Sequence, residues 1–235
     1  MKKTGSKELP RFQEHTKAWI SQESPQEKKK RAKQLLSLLK KQFPTADMML
    51  RYENPIQLLV AVMLSAQCTD KKVNEVTATL FNKYKTAYDF AHAHPREFEQ
   101  EIYQTGFYRA KTKNIIAATT LIEEKFDGKL PKTMASMLTL PGVARKTANV
   151  VLGNAYQIYD GIAVDTHVSR LAQRLGFSEN TDPKKIEQDL MAILPKEDWF
   201  KITYLLIELG RALCTAPRRK CETCPLNKIC PSSLK

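Results

Sequence analysis

Four of the five cysteines crowd into the last 22 residues, Cys214, Cys221, Cys224 and Cys230, in the pattern C-x6-C-x2-C-x5-C. Loops this short close with little entropy, so the four thiols can converge on one point. A secreted disulfide framework would spread its cysteines more evenly and carry an export signal. The N-terminus, MKKTGSKELPRF, has basic residues but no apolar stretch behind them, and no such signal is read there. Four thiolates suit either tetrahedral zinc or an iron–sulfur cluster. Zinc sites usually present two C-x2-C knuckles; with only one here, the spacing favours a [4Fe–4S] cluster. Cys68 stands apart and reads as a small buried apolar residue.

The rest of the chain carries helical rhythm. Ala32, Leu35, Leu36, Leu39 and Phe43 recur at i, i+3, i+4, i+7, and Pro44 closes that helix. Asn54-Pro55 supplies a cap and an N1 proline for an almost wholly apolar helix expected to run through Gln67. Asp70 is expected to cap a helix with Val73, Val76, Leu80 and Phe81 on one face. Further helices are expected near 95–104, 109–125, 133–139, 144–154, 166–175, 183–194 and 197–213, with Gly176 as a C′ residue. No stretch alternates with period two, so the expected class is all-α. The segment YQIYDGIAV, Tyr156 to Val164, breaks the rhythm and reads as an interdomain connection.

Charge narrows the partners. Lys and Arg number 38 against 25 Asp and Glu, a net +13, which favours a polyanion, nucleic acid before an acidic membrane surface. The longest strongly apolar run, Leu58 to Leu64, is far shorter than the roughly 20 residues a bilayer requires. A soluble intracellular protein is expected, with residues 1–26 as a basic tail.

A phosphate site is suggested by Leu140-Pro141-Gly142-Val143-Ala144, a short turn between two helical patterns. Pro141 fixes φ, Gly142 permits positive φ, and the next helix opens with free N–H groups that suit an anion. Arg218, Arg219 and Lys220, inside the cysteine loop, are further candidates for phosphate contact or for a solvated loop face.

This hairpin, the following Arg145-Lys146-Thr147-Ala148-Asn149, then Val164-Asp165-Thr166-His167 and the four cysteines resemble the endonuclease III family from about residue 27 to the C-terminus. These are helix-hairpin-helix DNA glycosylase/AP lyases of base excision repair. The resemblance implies two helical domains flanking a DNA-binding cleft: residues 48–158 as a six-helix barrel with the hairpin at about 133–154, and 27–47 with 159–235 as a cluster domain. It makes Lys146 the nucleophile, Asp165 the catalytic carboxylate, and the cluster structural. Leu140, Gly142, Val143, Ala144, Arg145 and His167 become DNA-binding candidates. Leu64-Ser65-Ala66-Gln67-Cys68-Thr69-Asp70 resembles the family turn whose Gln fills the space left by a flipped nucleotide, which makes Gln67 the plug. Phe107, in Gly106-Phe107-Tyr108, stands where the family commonly has a Leu wedge. Ala144 replaces a frequent second Gly; helical φ is expected there, which Ala favours.

The implied activity is removal of oxidised pyrimidines from double-stranded DNA followed by cleavage at the abasic site, by a monomer acting in the cytoplasm at the nucleoid. Adenine and mismatch-thymine glycosylases of the same superfamily are rivals that would lack a lysine at position 146. A non-catalytic DNA-binding or zinc-ribbon protein is the third reading, and it would not cut abasic DNA.

Overall fold

Side chains that accept from free backbone N–H groups set where the helices begin. The computed structural model describes residues 17–234. Part of the expected tail lies outside these residues, and the described part is anchored instead. A 3-10 turn, Ala18–Gln22, leads to Ser24, whose hydroxyl and Glu27 form a reciprocal capping box for α1 (Pro25–Gln42). Glu23 accepts from Arg31 at 2.6 and 2.8 Å, Arg31 also donates to the Leu175 carbonyl, and its guanidinium lies over the rings of Phe177 and Trp19. A composition rich in Lys, Glu and Gln hid this anchor. The apolar face of α1, Ala32, Leu35, Leu36 and Leu39, is buried as its period requires.

The chain then builds a separate unit, Met48–Asp160. Asn54 accepts from the Ile56 and Gln57 amides and starts α2 (Pro55–Leu64), in which every residue from Ile56 to Leu64 is buried. Buried Gln57 is satisfied by the Glu53 amide and the Phe81 and Tyr84 carbonyls. The helix stops at Leu64, short of the expected Gln67, because Gln67 adopts φ +54°. Thr69, rather than Asp70, caps α3 (Asp70–Lys83) by accepting from the Lys72 amide. A helix not expected from the sequence, α4 (Ala87–Ala91), opens with a Thr86–Asp89 capping box. It seats Phe90 among Phe81, Tyr84 and Phe98, ring centres 5.3–6.4 Å apart. Then come α5 (Pro95–Ile102), α6 (Tyr108–Phe126), α7 (Met134–Met137) and α8 (Arg145–Tyr156). α8 packs on α2 and α4 on α6, closing one apolar core.

From Gly161 the chain returns to the unit that contains α1. Here α9 (Thr166–Arg174), α10 (Pro183–Ile193) and α11 (Trp199–Ala212) are capped or preceded by Asp165, Asp182 and Asp198, and Gly176 ends α9 at φ +66°. α1 packs on α10 and α11. Among the described residues there is no strand, only a single bridge between Cys214 and Arg219, so the class is all-α. No described helix is long and apolar enough to cross a membrane.

Candidate nucleic-acid interface and cysteine centre

In the Met48–Asp160 unit, three turns far apart in sequence meet at one cavity of about 200 Å³. The turn after α2 brings Ala66 and Gln67, the turn before α6 brings Phe107, and the hairpin brings Gly142. Gln67 and Phe107 are both exposed, Phe107 at 65%. Both have left-handed backbones, φ +54° and +48°, a conformation that costs a non-glycine residue about 1–2 kcal/mol. Gly142 has φ +75° and lies so close to Asn114 that a Cβ would come within 2.8 Å of it.

The hairpin is pinned from inside. Leu140 and Val143 point into the core at 2% and 7% exposure, and the Val143 amide closes the turn on the Leu140 carbonyl at 3.1 Å. These two side chains therefore set the turn, and only their backbone faces outward chemistry. Ala144 differs from expectation: its φ −91° and ψ 169° are extended, not helical, because it is the N-cap of α8. Ala adopts this conformation without strain, so the missing glycine costs the hairpin nothing. Its methyl side chain offers no cap to the opening N–H groups of α8. Such a terminus attracts an anion. Arg145 is half-buried and Lys146 exposed at the head of this helix.

Asp165 and His167 belong to the other unit. Asp165 is the N-cap of α9, Oδ1 accepting from the Val168 amide at 2.7 Å. His167 is half-buried with Nδ1 3.3 Å from Arg170 Nη2, and α11 approaches it only because Gly210 has no Cβ; one would stand 2.6 Å from Nδ1. Burial pushes the His167 pKa below its usual value; the charge of Asp165 opposes this, while Arg170 and Arg211 add to it.

The four cysteines Cys214, Cys221, Cys224 and Cys230 line a single cavity with Leu171, Leu209 and Leu226, and none is in a disulfide. Yet among the described residues no three His, Cys, Asp or Glu side chains are grouped to hold a single metal ion. Four thiols lining one space are a donor set that suits either zinc or an iron–sulfur cluster. Burial pushes the Cys224 thiol up and the Cys230 thiol up to about 11, values that a bound cationic centre would reverse. Arg174 braces the loop, donating to Cys214 Sγ at 3.3 Å and to the Thr215 and Ala216 carbonyls at 2.8 and 3.0 Å. Arg219 is turned inward onto the Ser232 carbonyl, leaving Arg218 and Lys220 as the exposed cations of this loop. Cys68 is half-buried rather than fully enclosed.

Two residues escaped the sequence reading. Arg174 was not singled out, though a basic residue one turn before Phe177 on the buried side of α9 was a usable signal. Lys111 gave none: it sits in a stretch of alternating lysines, yet it is 6% exposed and lines the same cavity as Gln67 and Phe107.

Residues 60–196 match the family model described as HhH-GPD superfamily base excision DNA repair protein. The chain is 51% identical over 206 residues to endonuclease III of Synechocystis sp., covering 88% of this chain and 94% of that one. It is 44% identical over 194 residues to endonuclease III of Bacillus subtilis, covering 82% and 88%. Among solved structures it is similar to a non-covalent endonuclease III–DNA complex and to a trapped endonuclease III–DNA covalent intermediate, each at TM-score 0.83 and 41% identity, covering 87% of this chain and 96% of those. A thermostable thymine-DNA glycosylase at 21% identity and TM-score 0.79 shares the fold alone.

Proposed function

The chain belongs to the endonuclease III family, within the HhH-GPD superfamily of base excision DNA repair proteins, and on that premise we propose which residues do its chemistry and on which lesions. It is a DNA glycosylase/AP lyase. Its substrates are oxidised pyrimidines in duplex DNA, and the abasic sites they leave. The observation that carries the reading is the meeting of Gln67, Phe107 and Gly142 on one cavity, with Lys146 exposed on the helix that the hairpin opens.

A base inside the stack is out of reach, so the nucleotide must leave the helix and its place must be filled. Gln67 fills it and Phe107 wedges the stack, as an apolar side chain at a base step does. The amides opening α8 and the Arg145 side chain hold backbone phosphates near the lesion, fixing register without reading sequence. His167 supports α9 beside Asp165 and contacts DNA as a secondary role.

Lys146, with its amine neutral, attacks C1′ and the bond from C1′ to the base nitrogen breaks, the base taking the electron pair and a proton. Opening of the sugar ring, with the C1′–O4′ electron pair collecting a proton at O4′, leaves Lys146 joined to C1′ as a protonated Schiff base. That iminium acidifies C2′–H; its proton is lost, a C1′–C2′ enamine forms, and the C3′–O bond breaks with the 3′ phosphate leaving. Water then releases Lys146. Asp165 takes the proton that frees the amine, or balances positive charge developing on the sugar.

Cys214, Cys221, Cys224 and Cys230 hold a [4Fe–4S] cluster, which supplies a structural cross-link to the loop and no bond-breaking step. One chain suffices, acting on the nucleoid in the cytoplasm.

Borohydride on a mixture with abasic duplex should yield a covalent product from the native protein and none from Lys146→Ala, which should also lose excision of oxidised pyrimidines. Excision and trapping by Lys146→Ala at the native rate would place the nucleophile elsewhere.

A further inference from the structure

Lys111 lies in the first turn of α6 with its side chain driven inward. Its Nζ donates to the Leu64 carbonyl and to the Thr105 carbonyl, both at 2.8 Å. Leu64 is the last residue of α2, whose terminal carbonyls lack intrahelical donors and favour a cation. Three residues on comes Gln67. Thr105 ends the 3-10 turn Tyr103–Thr105, and two residues on comes Phe107. One ammonium thus grips the chain just ahead of each of the two left-handed, exposed residues. Those conformations persist only where the surroundings over-determine them.

Nothing about α6 itself calls for this lysine. A buried ammonium is costly unless hydrogen-bonded, and here it donates to two carbonyls. Burial pushes its pKa down, and the neighbouring Cys68 opposes this. A methionine of similar length would fill the space more cheaply. The ammonium joins two turns that are otherwise tied at a distance by the exposed Lys72–Gln104 contact at 3.1 Å.

We infer that Lys111 is a positioning residue that holds the Gln67 turn and the Phe107 turn at one fixed separation, so that plug and wedge enter the duplex as a unit. This rests on the reading of Gln67 and Phe107 given above. A lesion base paired in duplex DNA needs that insertion; an abasic site in single-stranded DNA has no stack to open.

The test uses the cluster-loaded full chain with Lys111→Met and Lys111→Arg. Losing a charge-assisted hydrogen bond to each turn should slow excision of a paired oxidised pyrimidine by about 10- to 100-fold. Lyase action on a single-stranded abasic oligonucleotide should stay near native, and Lys111→Arg, which keeps charge and donors, should recover much of the duplex rate. 2-Aminopurine beside a tetrahydrofuran abasic analogue in duplex should brighten with native protein and not with Lys111→Met. Equal loss on both substrates, or no loss on duplex, would overturn the inference. Where Lys111→Met does not fold, the Gln67→Ala and Phe107→Ala cycle in the native background decides: coupled turns give non-additive losses, and additive ones overturn the clamp. If those single variants leave duplex excision unchanged, the plug-and-wedge reading itself has failed; if they slow it and Lys111→Met does not, only the clamp has.

Discussion

Gly142→Ala separates two physical costs at the hairpin. At φ +75° any Cβ meets the left-handed penalty, about 1–2 kcal/mol. The same Cβ would lie 2.8 Å from Asn114 Cβ and 3.0 Å from its Cγ and Nδ2, and relieving such overpacking costs about 1–3 kcal/mol. Together these give about 2–5 kcal/mol, or roughly 5–15 °C of melting temperature in a chain of this size. Far-UV circular dichroism at a fixed scan rate reads this directly, since the fold is helical. Adding Asn114→Gly to Gly142→Ala removes the clashing Cβ but not the backbone strain, and, measured against Asn114→Gly alone, should return the second part of the loss. Gly106→Ala shows backbone strain with no clash: at φ +70° and ψ 161°, a region essentially restricted to glycine, nothing stands within 4 Å of the new Cβ. Relaxation would also displace the opening amides of α8, so affinity for an abasic-analogue duplex should fall with Gly142→Ala. A Gly142→Ala melt within about 0.5 kcal/mol of native, the range of neutral surface changes, would refute the reasoning. So would Asn114→Gly giving no recovery in that background.

Asp165→Ala should lose about 1 kcal/mol as the α9 cap goes, while Asp165→Asn keeps the cap and melts like native. Both should slow base excision by about 10²–10⁴, seen in single-turnover assays, with Asp165→Asn sparing cleavage of preformed abasic sites more. Affinity for undamaged duplex should fall steeply with salt, and Arg145→Ala should reduce the log–log slope by about 0.9, read by fluorescence anisotropy. His167, its pKa lowered in the fold by burial first, takes up protons more readily unfolded. Stability should therefore fall as pH drops through its usual value near 6.5 towards the folded one, and His167→Gln should flatten that slope in urea titrations.

What the sequence disclosed and what it withheld divide along physical lines. Asn54 announced a helix start because capping is local and needs only neighbouring backbone. Thr69 and Asp70 are adjacent and both can cap, so which one does was decided by the turn entering α3. α4 was missed because five residues are too few to display a period. Extended Ala144 escaped because a residue at the head of a helical pattern can be cap or first turn with equal ease. The left-handed backbones of Gln67 and Phe107 were invisible, since neither is the glycine that usually signals them. Lys111 was hidden most completely: its partners lie 47 residues and 6 residues away, and one of them is only a carbonyl at a helix end.

Synthesis runs from the N-terminus, and this chain makes α1 before anything that covers it. The leucine face of α1 waits for α10 and α11 while all of Met48–Asp160 is being added. At 5–20 residues per second that interval is roughly 7–30 s, long enough for the intervening unit, with its own core, to finish first. During it, a stripe of Ala32, Leu35, Leu36 and Leu39 travels unpaired, flanked by Lys28, Lys29, Lys30, Lys33, Lys40 and Lys41, charges that discourage aggregation. Ribosome-stalled chains ending after Asp160 should therefore protect the middle unit from protease while α1 is still cut, and a chain lacking α11 should leave its first helix a target for quality control.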